Sequence, residues 1–316
     1  MLHPEFQGRS CLTLKLKGFV FAVVFGLALS TGAMAQNEAY TPMPLGPGFG
    51  PVDTSAPPMP PEEIIQKFSA KESEFRKIYE AYGYRRSVKV QTLDGGQVDG
   101  EYQEVDDVSF DYTGKRQEKV VFAPQNSLQR VSMSPADFSD IQNRLPFVLT
   151  TEDIAQYNLT YVGKQKVDEL QTYVFDVAPK VMEKGKRYFQ GKIWVDQTDL
   201  QIVVTSGKNV PDDRRKGHED LSPPFTTYRE QVDGKYWFPT YTKADGVLHF
   251  GGCKGCMTED VHLRQIVKYT DYKQFGSKIR IIFQGQDITN NGQPPQNGTP
   301  APPKQNAKPG QDAESK

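Results

Sequence analysis

The chain has 316 residues, with 38 Lys and Arg against 39 Asp and Glu, 37% hydrophobic residues and three cysteines; its mean hydropathy is −0.61. These values exclude a polytopic membrane protein, a disulfide-rich miniprotein and a nucleic-acid binder that works through bulk charge. With 27 Gly and 23 Pro the chain exceeds ordinary usage without being low-complexity throughout, so where they sit decides how much of it folds.

Residues 1–35 read as a secretory signal peptide: Arg9, Lys15 and Lys17 supply a positive start, and Gly18 to Leu29 form one apolar run. That run is shorter than the roughly 20 residues that span a bilayer. Ser30, Thr31, Gly32 and then Ala33-Met34-Ala35 place small residues where a leader peptidase reads, so cleavage is expected after Ala35 and the product is expected in the periplasm, not spanning a membrane. Loss of the three cations and Glu5 takes the net charge from −1 to −3, which offers nothing to DNA or RNA. Residues 36–60 hold seven prolines and read as a stiff, extended spacer. At the other end, residues 288–316 are a polar run of Asn, Gln, Pro, Gly and Lys, expected to be a disordered tail. Residues 61–287 are left as one domain.

Pro60-Pro61-Glu62-Glu63 opens a helix, with proline at its start and acids in its first turn. Ile64, Ile65, Phe68, Phe75, Ile78, Tyr79 and Tyr82 continue it as an apolar stripe. After Gly83 the pattern turns to period two, with candidate strands at 84–93, 97–111, 116–123, 157–165, 169–178, 187–196, 200–207, 224–232, 235–243, 246–251, 259–272 and 278–284. Short helices are expected from Ser134, with Asp137 three residues on, and near Thr151-Glu152-Asp153. The expected fold is mainly β with a few helices (α+β): an unclosed antiparallel β-barrel of about 11 strands with an N-terminal helix and short lid helices.

One face of each strand is apolar. Val88 and Val90; Tyr173, Phe175 and Val177; Phe189, Ile193 and Val195; Val261, Leu263, Val267 and Tyr269; and Ile279, Ile281 and Phe283 alternate with polar neighbours. A barrel of this size encloses more space than its own side chains readily fill. The lidded cavity is therefore expected to be lined by Val88, Val90, Tyr173, Phe175, Phe189, Ile193, Val195, Leu263, Val267 and Ile281. A lipid-facing outer-membrane barrel is disfavoured by Lys89, Glu118, Lys192, Arg264 and Lys268 at outward positions.

Gly191-Lys-Ile-Trp-Val-Asp196, Leu200-Gln-Ile-Val203 and Asp233-Gly-Lys-Tyr-Trp-Phe-Pro239 are similar to the central hairpins of the outer-membrane lipoprotein-sorting superfamily. This group holds periplasmic lipoprotein carriers of the LolA/LolB type and sensor domains of the RseB/MucB type. The resemblance covers roughly residues 61–285 and includes the order of leader, helix, meander and inserted short helices. It implies a LolA-like half β-barrel whose concave apolar face binds an acyl chain or a lipidated protein, in lipid binding and transport or in envelope sensing. It supplies no catalytic residue and no cofactor, and the spacer, the tail and a cysteine loop depart from the carriers.

Cys253-Lys-Gly-Cys256 suits a disulfide at a hairpin tip in an exported protein. If the hairpin is centred between residues 255 and 256, His249 and His262 become cross-strand partners on the outward face, and Cys253, Cys256, His249 and His262 form a less favoured metal set. No Gly-x-Ser-x-Gly, His-Glu-x-x-His or phosphate loop occurs, so the chain is read as a binding protein and not an enzyme. The alternative is a structural or interaction module of the cell envelope with a self-filled barrel core.

Overall fold

The computed structural model describes residues 42–111, 113–143, 148–212, 222–250, 259–275, 282–283 and 286–287. Eleven antiparallel strands form one open sheet: β1 (Phe49–Asp53), β2 (Tyr82–Asp94), β3 (Gln97–Phe110), β4 (Arg116–Phe122), β5 (Tyr157–Val167), β6 (Leu170–Pro179), β7 (Tyr188–Asp196), β8 (Ile202–Val210), β9 (Phe225–Gln231), β10 (Trp237–Phe250) and β11 (Glu259–Gln274). Their order is β1-β5-β6-β7-β8-β9-β10-β11-β2-β3-β4, so among the described residues β1 and β4 are the two edge strands. The expected unclosed barrel of about 11 strands is the observed architecture.

Two strand assignments change. Residues 235–243 and 246–251, separated at Ala244-Asp245, are one strand, because Ala244 lies opposite Gln265 and Asp245 opposite Arg264 in an unbroken β10–β11 ladder. The stretch 278–284 does not extend the meander as far as it is described: Ile282–Phe283 pairs with Gln286–Asp287 as a separate two-stranded piece. Ile279 and Ile281 lie outside the described residues, as does the tail from 288.

The proline-rich spacer contains a strand. β1 pairs with β5, placing Phe49 opposite Val167 and Asp53 opposite Lys164. Its close approach depends on Gly163, where a Cβ would lie 2.5 Å from the Asp53 carbonyl oxygen. Phe49 then covers Trp194 edge-on, with ring centroids 5.3 Å apart. Trp194 has the opposite parity to Ile193 and Val195, so it points to the convex side, where it joins Val167, Val174, Val203 and Val204 in a second buried cluster. Its indole N–H donates to Gln165 Oε1 at 2.7 Å, and the Gln165 amide donates to the Gly50 carbonyl at 2.6 Å. One side chain thus joins the convex core to the spacer strand.

The first helix, α1 (Pro61–Tyr79), has Pro at its start, Glu62 and Glu63 in its first turn and Arg76 and Lys77 in its last, an order that suits the helix dipole. It ends before Tyr82, which belongs to β2. The second, α2 (Pro135–Asn143), begins at the expected cap: Ser134 N–H and Oγ each donate to Asp137 Oδ2 at 2.7 Å, and Asp137 N–H donates back to Ser134 Oγ at 3.3 Å. Thr150 and Asp153 repeat the motif before a 3₁₀ turn, Asp153–Gln156. No described helix is long and apolar enough to cross a membrane.

Truncating Phe49 uncovers Trp194. Phe49→Ala is expected to cost about 1–3 kcal/mol by loss of a partly buried ring, read in urea unfolding, and to increase acrylamide quenching of tryptophan fluorescence.

Candidate functional site

Alternation places the expected cavity residues on one surface. Val88 and Val90, Tyr173 and Phe175, Phe189, Ile193 and Val195, and Leu263 and Val267 are each no more than 3% exposed and belong to a single core cluster. Ladder register brings them side by side, with Phe175 opposite Ile193, Tyr173 opposite Val195, and Val267 opposite Val88. Ile281, the tenth, lies outside the described residues. This surface is not empty: α1 lays Ile64 and Phe68 into the same cluster, and the Phe68 ring lies 5.9 Å from that of Phe175.

Between Phe68 and Phe75 the stripe of α1 presents Glu72, which is wholly buried. Arg229 of β9, equally buried, donates through Nη1 to both carboxylate oxygens at 2.9 and 3.0 Å, and the Ile202 backbone N–H adds a bond to Oε1 at 3.2 Å. Burial raises the Glu72 carboxyl above the usual glutamate range, with Arg229 and the Ile202 amide opposing. The guanidinium also sits 5.2 Å from the Phe75 ring centroid. Sequence reading missed this pair, although an acid at a buried position of an apolar stripe calls for a partner on the surface it meets.

The other half of the concave face is polar. Arg86 of β2 is buried beside Asp106 of β3, with Nη2 donating to Asp106 Oδ2 at 2.6 Å and to Glu118 Oε2 of β4 at 3.4 Å. Glu118, expected outward, instead shares the inner face with Val108, directly opposite it on β3. There it meets Arg116 Nε at 2.6 Å and the Gln142 amide of α2 at 3.1 Å. Glu104 lies on the same face, and burial raises its carboxyl while the Tyr102 hydroxyl, donating at 2.7 Å, opposes. Above this floor α2 contributes Ile141 to the core and Phe138 to an edge contact with Tyr102 at 5.6 Å. Its Asp140 accepts from Ser222 Oγ at 3.0 Å and Asn209 Nδ2 at 3.4 Å, and lies 3.2 Å from Arg187 Nη2. The lid helix is therefore held to the sheet by ion pairs and amides as much as by apolar contact.

One cavity of about 330 Å³ opens beside the end of α1, lined by Arg76, Val148, Asp153, Tyr157, Lys186 and Arg187 among others. Each cation there has its acid: Arg76 with Asp153 at 2.7 Å, Lys186 with Glu183 at 2.8 Å and Arg187 with Asp140.

The histidines do not face each other. His249 lies opposite Asp260 and His262 opposite Val247, because the ladder is centred one residue earlier than the expected centre between residues 255 and 256. Both project outward, yet each takes a different carboxylate: His249 Nδ1 is 2.6 Å from Asp260 and His262 Nε2 is 2.5 Å from Asp245. Cys253 and Cys256 lie outside the described residues, and among the described residues no group of three or more metal-ligating side chains forms.

No family model matches the chain, and no curated protein matches it. Among solved structures it is similar to a LolA-superfamily protein from Nitrosomonas europaea, at 15% identity over 66% of this chain and 92% of that one, with a TM-score of 0.28. A putative outer-membrane lipoprotein-sorting protein domain from Vibrio parahaemolyticus gives 11% identity, 67% and 94% coverage and a TM-score of 0.31. MucB gives 10% identity, 63% and 92% coverage and a TM-score of 0.20. The first two are described by the name of the superfamily that the sequence resembles.

Two predictions follow from the site's electrostatics. Glu72→Ala is expected to destabilise the protein by about 3–5 kcal/mol by stranding Arg229, whereas Glu72→Leu with Arg229→Met recovers most of that loss; denaturant titration of the three variants measures both. Burial works to raise the Asp245 carboxyl, but hydrogen bonds and charge from His262 and Arg264 outweigh it and hold the group below the ordinary aspartate value. Its contribution is therefore complete above the unfolded value of about 3.9 and is lost as pH falls through the lower folded value. Asp245→Asn should flatten the decline of stability below about pH 4, read as unfolding midpoints across acid pH.

Proposed function

We propose that this chain is an exported periplasmic binding protein whose concave sheet face receives an acyl chain or a lipidated protein, as a lipoprotein-sorting-like carrier or envelope sensor, without covalent catalysis. The observation that carries this reading is an open sheet whose concave face holds one large buried apolar cluster, covered by helices and not by further strands. A helix can leave such a face without breaking a sheet ladder. Each methylene that replaced it there would contribute about 0.8 kcal/mol of burial.

The close packing of Ile64 and Phe68 against Phe175 and its neighbours favours a second reading, an envelope interaction module whose barrel is filled by its own side chains. Lipid extraction and mass spectrometry on protein purified from a periplasm without detergent separate the two. Stoichiometric acyl species on the parent, absent from a Phe175→Asp or Ile193→Asp variant that keeps its circular dichroism, supports the carrier or sensor reading. A lipid-free parent that also fails to take up an added fluorescent fatty acid sinks it and leaves the interaction module. On the binding reading Asp140→Asn, which weakens the hold on α2, is expected to speed fatty-acid uptake several-fold in stopped-flow fluorescence.

A further inference from the structure

The two free edges of the sheet differ in their capacity to accept another strand. β1 is five residues long, contains Pro51 and follows Pro47 closely; proline removes a ladder donor and blunts an edge. β4 runs Arg-Gln-Glu-Lys-Val-Val-Phe from 116 to 122 with no proline. It pairs on one side with β3 and has no strand on its other side among the described residues. Its last three residues are apolar and open, with Val120 56%, Val121 48% and Phe122 51% exposed. Such an edge, in a sheet that is antiparallel throughout, is a template for an extended peptide.

The charges beside this edge select the peptide. On the convex side, beside Lys119 of β4, lies a groove of about 560 Å³ lined by Gly83, Arg85, Asp107, Lys119, Asp271, Lys273 and Phe275 among others. Gly83 is bare because the Phe275 ring occupies the position of a Cβ, 2.3 Å away. Arg85 and Asp107 satisfy each other through two bonds of 2.9 and 3.2 Å. That leaves Lys119 and Lys273 against Asp271. Neither lysine makes an ion pair with a carboxylate among the described residues, although both add, after the Arg85 hydrogen bond, to holding the Asp107 carboxyl below its usual range. On the concave side Glu118 is taken up by Arg116, Arg86 and Gln142, so Val120, opposite Asp106, sets the preference there, while Phe122 lies past a register shift, opposite Val105.

We propose that β4 is a docking edge for an extended partner segment that adds as an antiparallel strand, with an acidic residue opposite Lys119 reaching into the groove and apolar residues opposite Val120 and Phe122. The partner is a protein segment of acidic-apolar alternation, and its site is separate from the concave face.

The test uses two synthetic peptides, acetyl-Ile-Thr-Val-Glu-Thr-Thr-amide and the same peptide with Lys in place of Glu, titrated against the full protein by NMR. The expected result is saturable binding of the Glu peptide with shifts confined to β4 and β3, and about fivefold weaker binding of the Lys peptide. Lys119→Glu should reverse that order with only a small fall in the thermal midpoint, from setting Glu opposite Asp107 at an exposed position. Methylating alternate backbone nitrogens of the Glu peptide, on the register that faces β4, should abolish binding without altering the protein. Absence of saturable binding by either peptide overturns the proposal, as does equal binding of both by parent and Lys119→Glu. A β4-to-β4 dimer detected by cross-linking would overturn it too, since a second copy would then be the occupant.

Discussion

The seating of α1 on the concave face is the constraint on which the rest of this structure depends. An open eleven-stranded sheet exposes an apolar inner surface far larger than a monomer tolerates, and one helix with a single stripe has to cover much of it. The stripe is interrupted by Glu72, and the sheet answers with Arg229 at the matching position, so that a fully buried acid becomes a fixed point of register between helix and sheet. Ile64 and Phe68 then fall over Phe175 on one side of that point, and Phe75 packs under Arg229 and against Phe238 on the other. A shift of α1 by one turn would leave both charges unpaired, which is the kind of penalty that specifies one packing among several apolar ones.

The two halves of the concave face have different chemistry, and the helices covering them match it. Strands β5 to β8 present mostly aliphatic and aromatic side chains, met by the apolar turns of α1. Strands β2 to β4 mix Val88, Val90 and Val108 with Arg86, Asp106, Glu104 and Glu118, met by α2, whose inward side carries Ile141 but also Asp140 and Gln142. Arg130 closes the end of this half, donating to the Leu93 and Asp260 carbonyls and pairing with Asp99 and Glu259.

Most of this sheet is legible in the sequence because one-sided burial imposes period two over long strands, and each apolar residue assigned inward and described, from Val88 to Tyr269, is buried. What is not legible is contact between elements distant in the chain. β1 holds few strand formers, and its pairing depends on Gly163 admitting it and on Trp194 needing a cover; the odd parity of Trp194 was the one local sign. The break expected at Ala244-Asp245 does not form, because His262 and Arg264 hold the aspartate across the ladder. The register of β10 on β11 follows Leu248 meeting Val261, centred one residue away from the register that would make His249 and His262 partners. Glu118 and Glu72 look like surface acids because sequence shows their charge and not the arginines that face them.

The relative strength of the two helix attachments decides where a guest can enter on the acyl-binding reading. Withdrawing α1 separates a pair with no solvent access and exposes the Phe68 and Phe75 contacts together, a cost that burial of one chain does not readily offset. Withdrawing α2 breaks the exposed Gln142 bond to Glu118, the buried bonds of Asp140 to Ser222 and Asn209 and its pair with Arg187. The side chains of that pair keep 10% and 14% exposure, against 0% and 1% for Glu72 and Arg229. With water admitted there, the net worth of each bond to a carboxylate is about 1.5–3 kcal/mol. On the acyl-binding reading α1 is therefore the more firmly held cover and α2 the one that lifts more readily.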